Sequence, residues 1–340
     1  MGAPTAVGVA VSARRSGLLI ATAVGWLVFG TTAGAQPLER FTLLVIGASG
    51  ESRYETRNED WRGRLITALR NQRGFQDDHL VVLAETPGPG VGRASRDGIR
   101  DALDALTARM SERAVLHIVL IGHGSFDGVD AKFNLVGPDL SASEWDRWLA
   151  PVPGRVVFIN TASASAPFMQ RLSRPGRTVI TATESPAQRF ETQFPEFFVE
   201  ALADQAGDTD KDGAVSVLEA FEYASRGVRE WYRQAGRLAT ERALIDDTGD
   251  GRGREAEAAG PDGLISARLL LGAGPVRDEA ERDPSVMPLV DRREVLLEEL
   301  ARLRAGQQTL TRDMYAAELE RLLVELATVS RDIRRRMGSD

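Results

Sequence analysis

The sequence predicts an α/β fold: a mostly parallel sheet with helices on both faces, followed by a C-terminal antiparallel helical hairpin. Three observations predict it. Between Phe41 and Glu184 lie five short runs rich in Val and Ile, namely FTLLVIGA, HLVVLAE, AVLHIVLIG, GRVVFIN and RTVITATE. They are apolar on both faces, as strands are when both sides of their sheet are covered, and amphipathic segments separate them. After Pro284, leucines recur at heptad spacing.

The bulk numbers fit a large globular domain with an appendage. The chain has 340 residues, 43% hydrophobic and 27% charged, with a formal net charge of −7. That acidity gives no footprint for nucleic acid. The absence of cysteine excludes disulfides, zinc–thiolate sites and a cysteine nucleophile. Only three histidines (His79, His117 and His123) are present to supply imidazole chemistry.

Residues 1–35 read as an export signal. Arg14 and Arg15 precede the apolar run SGLLIATAVGWLVFG, and the small-residue site Ala33 to Ala35 stands before Gln36. The run is short for a membrane span, so the mature protein is expected to be acidic, free of the membrane, and periplasmic or secreted. An uncleaved anchor is the alternative.

Residues 36–275 then form the expected main domain. In SRDGIRDALDALTARM, Ile99, Ala102, Leu103, Leu106 and Met110 share one helical face, with Ser95 as N-cap. The Gly/Pro-rich ETPGPGVGRA reads as a mobile connection near a sheet edge, and LISARLLLG, Leu264 to Gly272, as a sixth strand. In the region 284–340, Leu296, Leu300 and Leu303 form one short seam. Tyr315, Leu319, Leu322, Leu326, Val329 and Ile333 form the second, after a break at AGQQTLTRD. The hairpin either packs on the main domain or serves as an arm for dimerisation or another partner.

DTDKDGAVSVLE, Asp208 to Glu219, matches the twelve-residue EF-hand pattern. Asp208, Asp210 and Asp212 take positions 1, 3 and 5, Gly213 is the turn glycine, and Ala214 offers a carbonyl. Ser216 stands at position 9 and Glu219 can close the site with two oxygens. Calcium is hard and large and takes six to eight oxygens, which this set supplies. FPEFFVEALADQ before it and VLEAFEYASRGVREWY after it are both amphipathic helices. A poorer match, Asp246 to Glu257, places Asp246, Thr248, Asp250, Gly251 and Glu257 at ligand or turn positions. Gly253 and two intruding arginines make it read as a turn, with binding of a second calcium left as the alternative.

The strand AVLHIVLIG runs into Gly-His-Gly, which places His123 at a strand end, where parallel sheets hold their reactive groups. The strand GRVVFIN runs into TASASAPF, which places Ser163 at a second such end. His123 and Ser163 fit the spatial logic of a base and its nucleophile. His117 lies within an apolar run and reads as a core residue, and His79 as a surface or strand-edge residue.

These residues carry a family resemblance. A strand, His-Gly, about forty residues, then a strand and a small-residue turn resembles the caspase–hemoglobinase fold, in particular the legumain-type cysteine peptidases. His123-Gly124 matches the family's His-Gly, and Ala162-Ser163-Ala164-Ser165-Ala166 matches its Ala-Cys-x-Ser-Gly turn. RTVITATES is similar to the next strand and groove wall. GASGESRYETR is similar to the segment carrying a substrate-pocket arginine, which implies Arg57, or secondly Arg53. The resemblance spans roughly Phe41 to Leu202, and the calcium loop and hairpin lie outside it. Where the family has cysteine this chain has Ser163, or Ala162 if the strand ends one residue sooner.

A serine needs its proton removed during attack by a base held by a third group. Asp127 and Asp130 follow His123, but neither is identified as that group. G-x-S-x-G is also absent. The first expectation is therefore a non-catalytic, exported domain that binds a peptide or protein. A serine-dependent hydrolase using Ser163 and His123 is the second. A calcium-stabilised structural protein whose hairpin does the binding is the third.

Overall fold

The computed structural model describes residues 39–71, 75–211, 213–271, 285–305 and 310–336. The export-signal pattern at 1–35 lies outside them, as does Asp212. No helix among the described residues is long and apolar enough to cross a membrane.

All five expected strand runs are strands: β1 (Arg40–Ile46), β2 (Leu80–Ala84), β4 (Val115–Ile121), β8 (Arg155–Asn160) and β9 (Arg177–Thr181). A two-residue strand, β3 (Gly92–Arg93), and β10 (Leu244–Asp246) complete a seven-stranded sheet in the order β10-β9-β8-β4-β1-β2-β3. Every pairing in it is parallel except β10 on β9. A small antiparallel sheet, β5 (Gly124–Phe126), β6 (Ala131–Phe133) and β7 (Leu140–Ser141), stands beyond the end of β4.

Two apolar layers cover the sheet, one per face. Leu44 and Ile46 of β1 point to one, shared with Trp61 and Leu65 of α1 (Ser52–Arg70), Phe194 and Phe198 of α5 (Phe194–Ala203), and Phe221 of α6 (Val217–Gln234). Leu43 and Val45 point to the other. It is shared with Ile99 and Leu103 of α2 (Arg96–Thr107), Trp145 of α3 (Ala142–Trp148), and Phe168 of α4 (Ala166–Leu172). The alternation is the two-residue period of a strand buried on both sides. Ser95 caps α2 as its sequence suggests, accepting a hydrogen bond from the Gly98 amide at 3.2 Å.

Two expectations need correction. Leu264 to Leu271 is not a sixth strand, and Gly272 lies outside the described residues. The Asp247 carboxylate accepts hydrogen bonds from the Gly263, Ile265 and Ser266 amides and the Ser266 hydroxyl, which winds the segment into a 3-10 turn at Ser266–Arg268. The edge strand is β10 instead. The connection after β2 is tied down, since Gly88 and Val91 bond each other's backbones and β3 pairs with β2.

The C-terminal region forms α7 (Met287–Ala305) and α8 (Arg312–Arg336). Arg336 donates to the Ser285 carbonyl, and Arg292 pairs with Glu325, so the two helices run antiparallel. Leu296, Leu300, Leu322, Leu326, Val329 and Ile333 close a core separate from the two sheet layers.

Candidate functional site

The β4–β8 register brings His123 and Ser163 to one place. Leu120 pairs with Asn160, and each residue lies three positions beyond its paired residue. In the strand order the chain runs from β1 to β2 on one side and to β4 on the other. The ends of β1 and β4 therefore flank a topological switch point, the crevice where open parallel sheets place their ligand sites.

The small residues after β8 are bonded into their surroundings. Asn160 Oδ1 accepts from the Ala162 amide, and the Thr161 hydroxyl donates to the Leu120 carbonyl at 2.7 Å. Ser165 Oγ lies 3.1 Å from Thr183 Oγ1 and accepts from the Thr183 amide, tying the turn to the end of β9. Ala162 is fully buried. Ser163 reaches the His-Gly turn: its hydroxyl donates to the Gly124 carbonyl at 3.1 Å and accepts from the Gly124 amide at 3.3 Å. Among the described residues no hydrogen bond joins Ser163 to His123. Ala164 has φ +50°, the left-handed region that costs a non-glycine residue about 1–2 kcal/mol.

His123 is oriented from the other side. Its ring meets the Tyr54 ring edge-on at 4.7 Å between centroids. Burial and the neighbouring Arg57 charge hold its pKa below the usual imidazole value, while a hydrogen bond to the Ser49 backbone pulls it up. Burial, the largest of these effects, favours the neutral imidazole. Among the described residues no carboxylate is hydrogen-bonded to the His123 ring, although the Glu51 charge acts on it. Asp127 pairs with Lys132 at 2.8 Å and caps the Val129 and Asp130 amides, and Asp130 accepts from the Ser143 amide.

Arg57, the residue implied for the substrate pocket, sits on α1 near His123. Its guanidinium lies over the Trp61 ring at 4.5 Å and the Tyr54 ring at 5.2 Å, and it pairs with Glu191. Burial lowers its pKa. Arg53, the second choice, is exposed and pairs with Glu51 at 3.1 Å. Tyr54 and Trp61 went unread in the sequence, although they stand at i−3 and i+4 from Arg57 on one helix face. Glu191 carried no local signal. Beside the Ser163 turn an open depression of about 590 Å³ is lined by Phe126, Val129, Pro167, Gln170, Glu184 and Pro186.

His117 is buried on β4, and burial pushes it down to about 3. His79 stacks on Phe41 at 4.0 Å beside the start of β2.

The EF-hand-like loop lies between α5 and α6. One ligand oxygen each from Asp208, Asp210 and Glu219 falls within a cluster no wider than 4.8 Å. Gly213 has φ +88°, a conformation a side chain would strain, and its amide donates to Asp208. Ser216 is the N-cap of α6 and forms a capping box with Glu219, whose other oxygen accepts from the Thr209 and Asp210 amides. Ala214 is buried. Residues 215 to 217 pair with 269 to 271 through Leu271 N–H to Val215 O at 3.0 Å and Val217 N–H to Leu269 O at 2.7 Å. Burial pushes Asp208 up, Asp210 up to about 6 and Glu219 up to about 7. Gathered, buried carboxylate oxygens of this kind fit a hard divalent cation.

Sequence reading did not foresee what else faces the loop. Arg293 of α7 lies 3.7 Å from Asp210, and the Arg334 charge of α8 acts on both Asp208 and Asp210. The poorer match, 246–257, is a turn. Asp246 accepts from the Gly249 and Gly251 amides, Asp250 from the Arg252 amide, and Glu257 pairs with Arg229 at 2.5 Å. Among the described residues its acidic groups do not gather into a metal-sized cluster as Asp208, Asp210 and Glu219 do.

No family model matches the chain, and no curated protein matches it. Among solved structures the chain is similar to a protein from Geobacter sulfurreducens, at 14% identity and a TM-score of 0.40, over 61% of this chain and 92% of that one. It is also similar to the Drosophila initiator caspase Dronc, at 16% identity and a TM-score of 0.38, over 64% and 82% of the two chains. A third similar structure is drICE, at 9% identity and a TM-score of 0.38, over 65% and 92%.

Proposed function

We propose that this chain is an exported caspase-like domain that binds a peptide or protein without cutting it and carries a structural calcium ion. The observation that carries the reading is the bonding of Ser163. Its hydroxyl donates to and accepts from the Gly124 backbone, and no hydrogen bond links it to His123 among the described residues. A serine nucleophile needs a base on its hydroxyl and a group orienting that base; the Asp127 and Asp130 carboxylates are engaged elsewhere. The depression beside the turn, with Phe126 and Pro167 in its walls, supports an extended ligand. Arg57 does not line that depression; on the resemblance alone it would take an acidic residue of the ligand in exchange for Glu191.

Calcium is supported by the twelve-residue pattern and by the gathered oxygens of Asp208, Asp210 and Glu219. Export is supported by the N-terminal sequence pattern alone.

One observation favours the second reading, a serine-dependent hydrolase. Ala164 holds a left-handed conformation directly after Ser163, and strained backbone clusters at active sites. A serine-directed fluorophosphonate probe separates the two. The binding reading expects no label on wild type, and label that disappears in Ser163→Ala would establish the hydrolase.

A further inference from the structure

The two arginines on the acidic loop come from the hairpin, about 80 and 120 residues further along the chain. Arg293 Nη2 lies 3.7 Å from Asp210 Oδ2, and both side chains are largely buried, at 14% and 12% exposure. Screening by salt is weak for such a pair. Arg334 comes alongside the turn glycine: its Cδ lies 3.9 Å from where a Cβ on Gly213 would stand. Between the two elements is a narrow crevice, lined on one side by Asp210, Leu218 and Glu219 and on the other by Leu297, Leu300 and Leu323. The hairpin also has its own closed core, so leaving the loop would not unfold it. Two guanidinium charges thus already occupy the space beside the carboxylates.

We propose that calcium in the loop and the docked hairpin oppose each other, so that binding the ion loosens the hairpin from the main domain. This rests on the calcium reading above. A divalent cation within the Asp208–Asp210–Glu219 cluster brings two positive charges against Arg293 and Arg334 in a partly desolvated crevice, where like charges repel strongly. The coupling is reciprocal: the factor by which calcium weakens docking equals the factor by which docking weakens calcium. The hairpin then becomes a calcium-responsive arm, free to present its apolar seam edge and Leu297 and Leu323 when the ion is bound.

The test is calcium titration by calorimetry on the full chain, on the double variant Arg293→Gln/Arg334→Gln, and on Arg321→Gln. Arg321 is also on the hairpin, but it pairs with Glu318 and Glu325. The double variant is expected to bind calcium at least about tenfold more tightly than wild type, with Arg321→Gln unchanged. Binding by the double variant alone would support the proposal still more strongly. Equal affinities, or weaker binding by the double variant, overturn the coupling and leave the calcium site standing. No binding by any form overturns the calcium reading and the coupling with it. A second measurement needs no variant. Hydroxyl-radical labelling of Leu297 and Leu323, which line the crevice, should increase in wild type on adding calcium, and unchanged or weaker labelling would refute the proposal.

Discussion

Replacing Gly124 by alanine should be among the most damaging single-methyl changes in the protein. A Cβ there would stand 2.3 Å from the Ser163 carbonyl oxygen and 3.2 Å from the Lys132 carbonyl oxygen. Both are backbone atoms of neighbouring elements, so neither can swing aside as a side chain would. Relieving the first contact requires the His-Gly turn and the Ser163 turn to part by about 1 Å, the order of shift that overpacking forces at about 1–3 kcal/mol. The separation also breaks the two hydrogen bonds between the Ser163 hydroxyl and Gly124, at about 1 kcal/mol each. The expected loss is about 3–5 kcal/mol, a fall in melting temperature of about 6–20 °C for a domain of this size. Thermal unfolding followed by circular dichroism reads it directly. Gly63→Ala supplies the control, because a Cβ there meets nothing within 4 Å in the middle of α1. That variant should gain about 0.5–1 kcal/mol from helix propensity. Gly124→Ala melting within about 2 °C of wild type would refute the packing described for the site.

Calcium at about 1 mM, bound with a dissociation constant of about 10 μM, should stabilise the protein by about 2.7 kcal/mol. Asp208→Ala or Glu219→Ala should abolish that response in melting curves with and without chelator. Glu241, just before β10, is buried with its carboxylate against the start of α5, and burial pushes it up to about 7 against the pull of the Gln193 and Phe194 amides. A carboxyl whose pKa is raised on folding stabilises most below its unfolded value near 4.5 and loses that contribution as pH rises through 7. Relative to Glu241→Gln, wild type should therefore lose about 2–3 kcal/mol between pH 5 and 8 in denaturant titrations, and a constant difference would contradict this. Deleting Asp283 to Asp340 should leave the sheet domain folded, because the hairpin core is separate from both sheet layers. A molten or insoluble truncated chain would show the hairpin to be part of the main core.

The parts of the fold that were legible in sequence are those with strong local patterns. β1, β4 and β8 are buried on both faces, so their apolar runs announce them, and the EF-hand spacing points to Asp208, Asp210 and Glu219, whose carboxylates lie together. β3, β7 and β10 have two or three residues and exist through pairing with longer neighbours, which leaves no period to read. The apolar run after Leu264 misled because Asp247, far back in the chain, captures its amides. At the site, strand ends located His123 and Ser163. The Arg57–Glu191 pair spans 134 residues, and the Arg293–Asp210 pair joins separate elements, so both needed the tertiary structure.

The most direct test of the account is hydrolysis of a broad peptide library by purified wild type, alongside Ser163→Ala, His123→Ala and Ser163→Cys. With the Ser163 hydroxyl bonded to Gly124 and, among the described residues, no carboxylate hydrogen-bonded to His123, wild type and both alanine variants should show the same rate as buffer. Ser163→Cys places a thiol at the His-Gly turn and should react with a thiol-directed peptide probe. Wild-type cleavage that disappears in both Ser163→Ala and His123→Ala would contradict the non-catalytic reading and establish a serine peptidase.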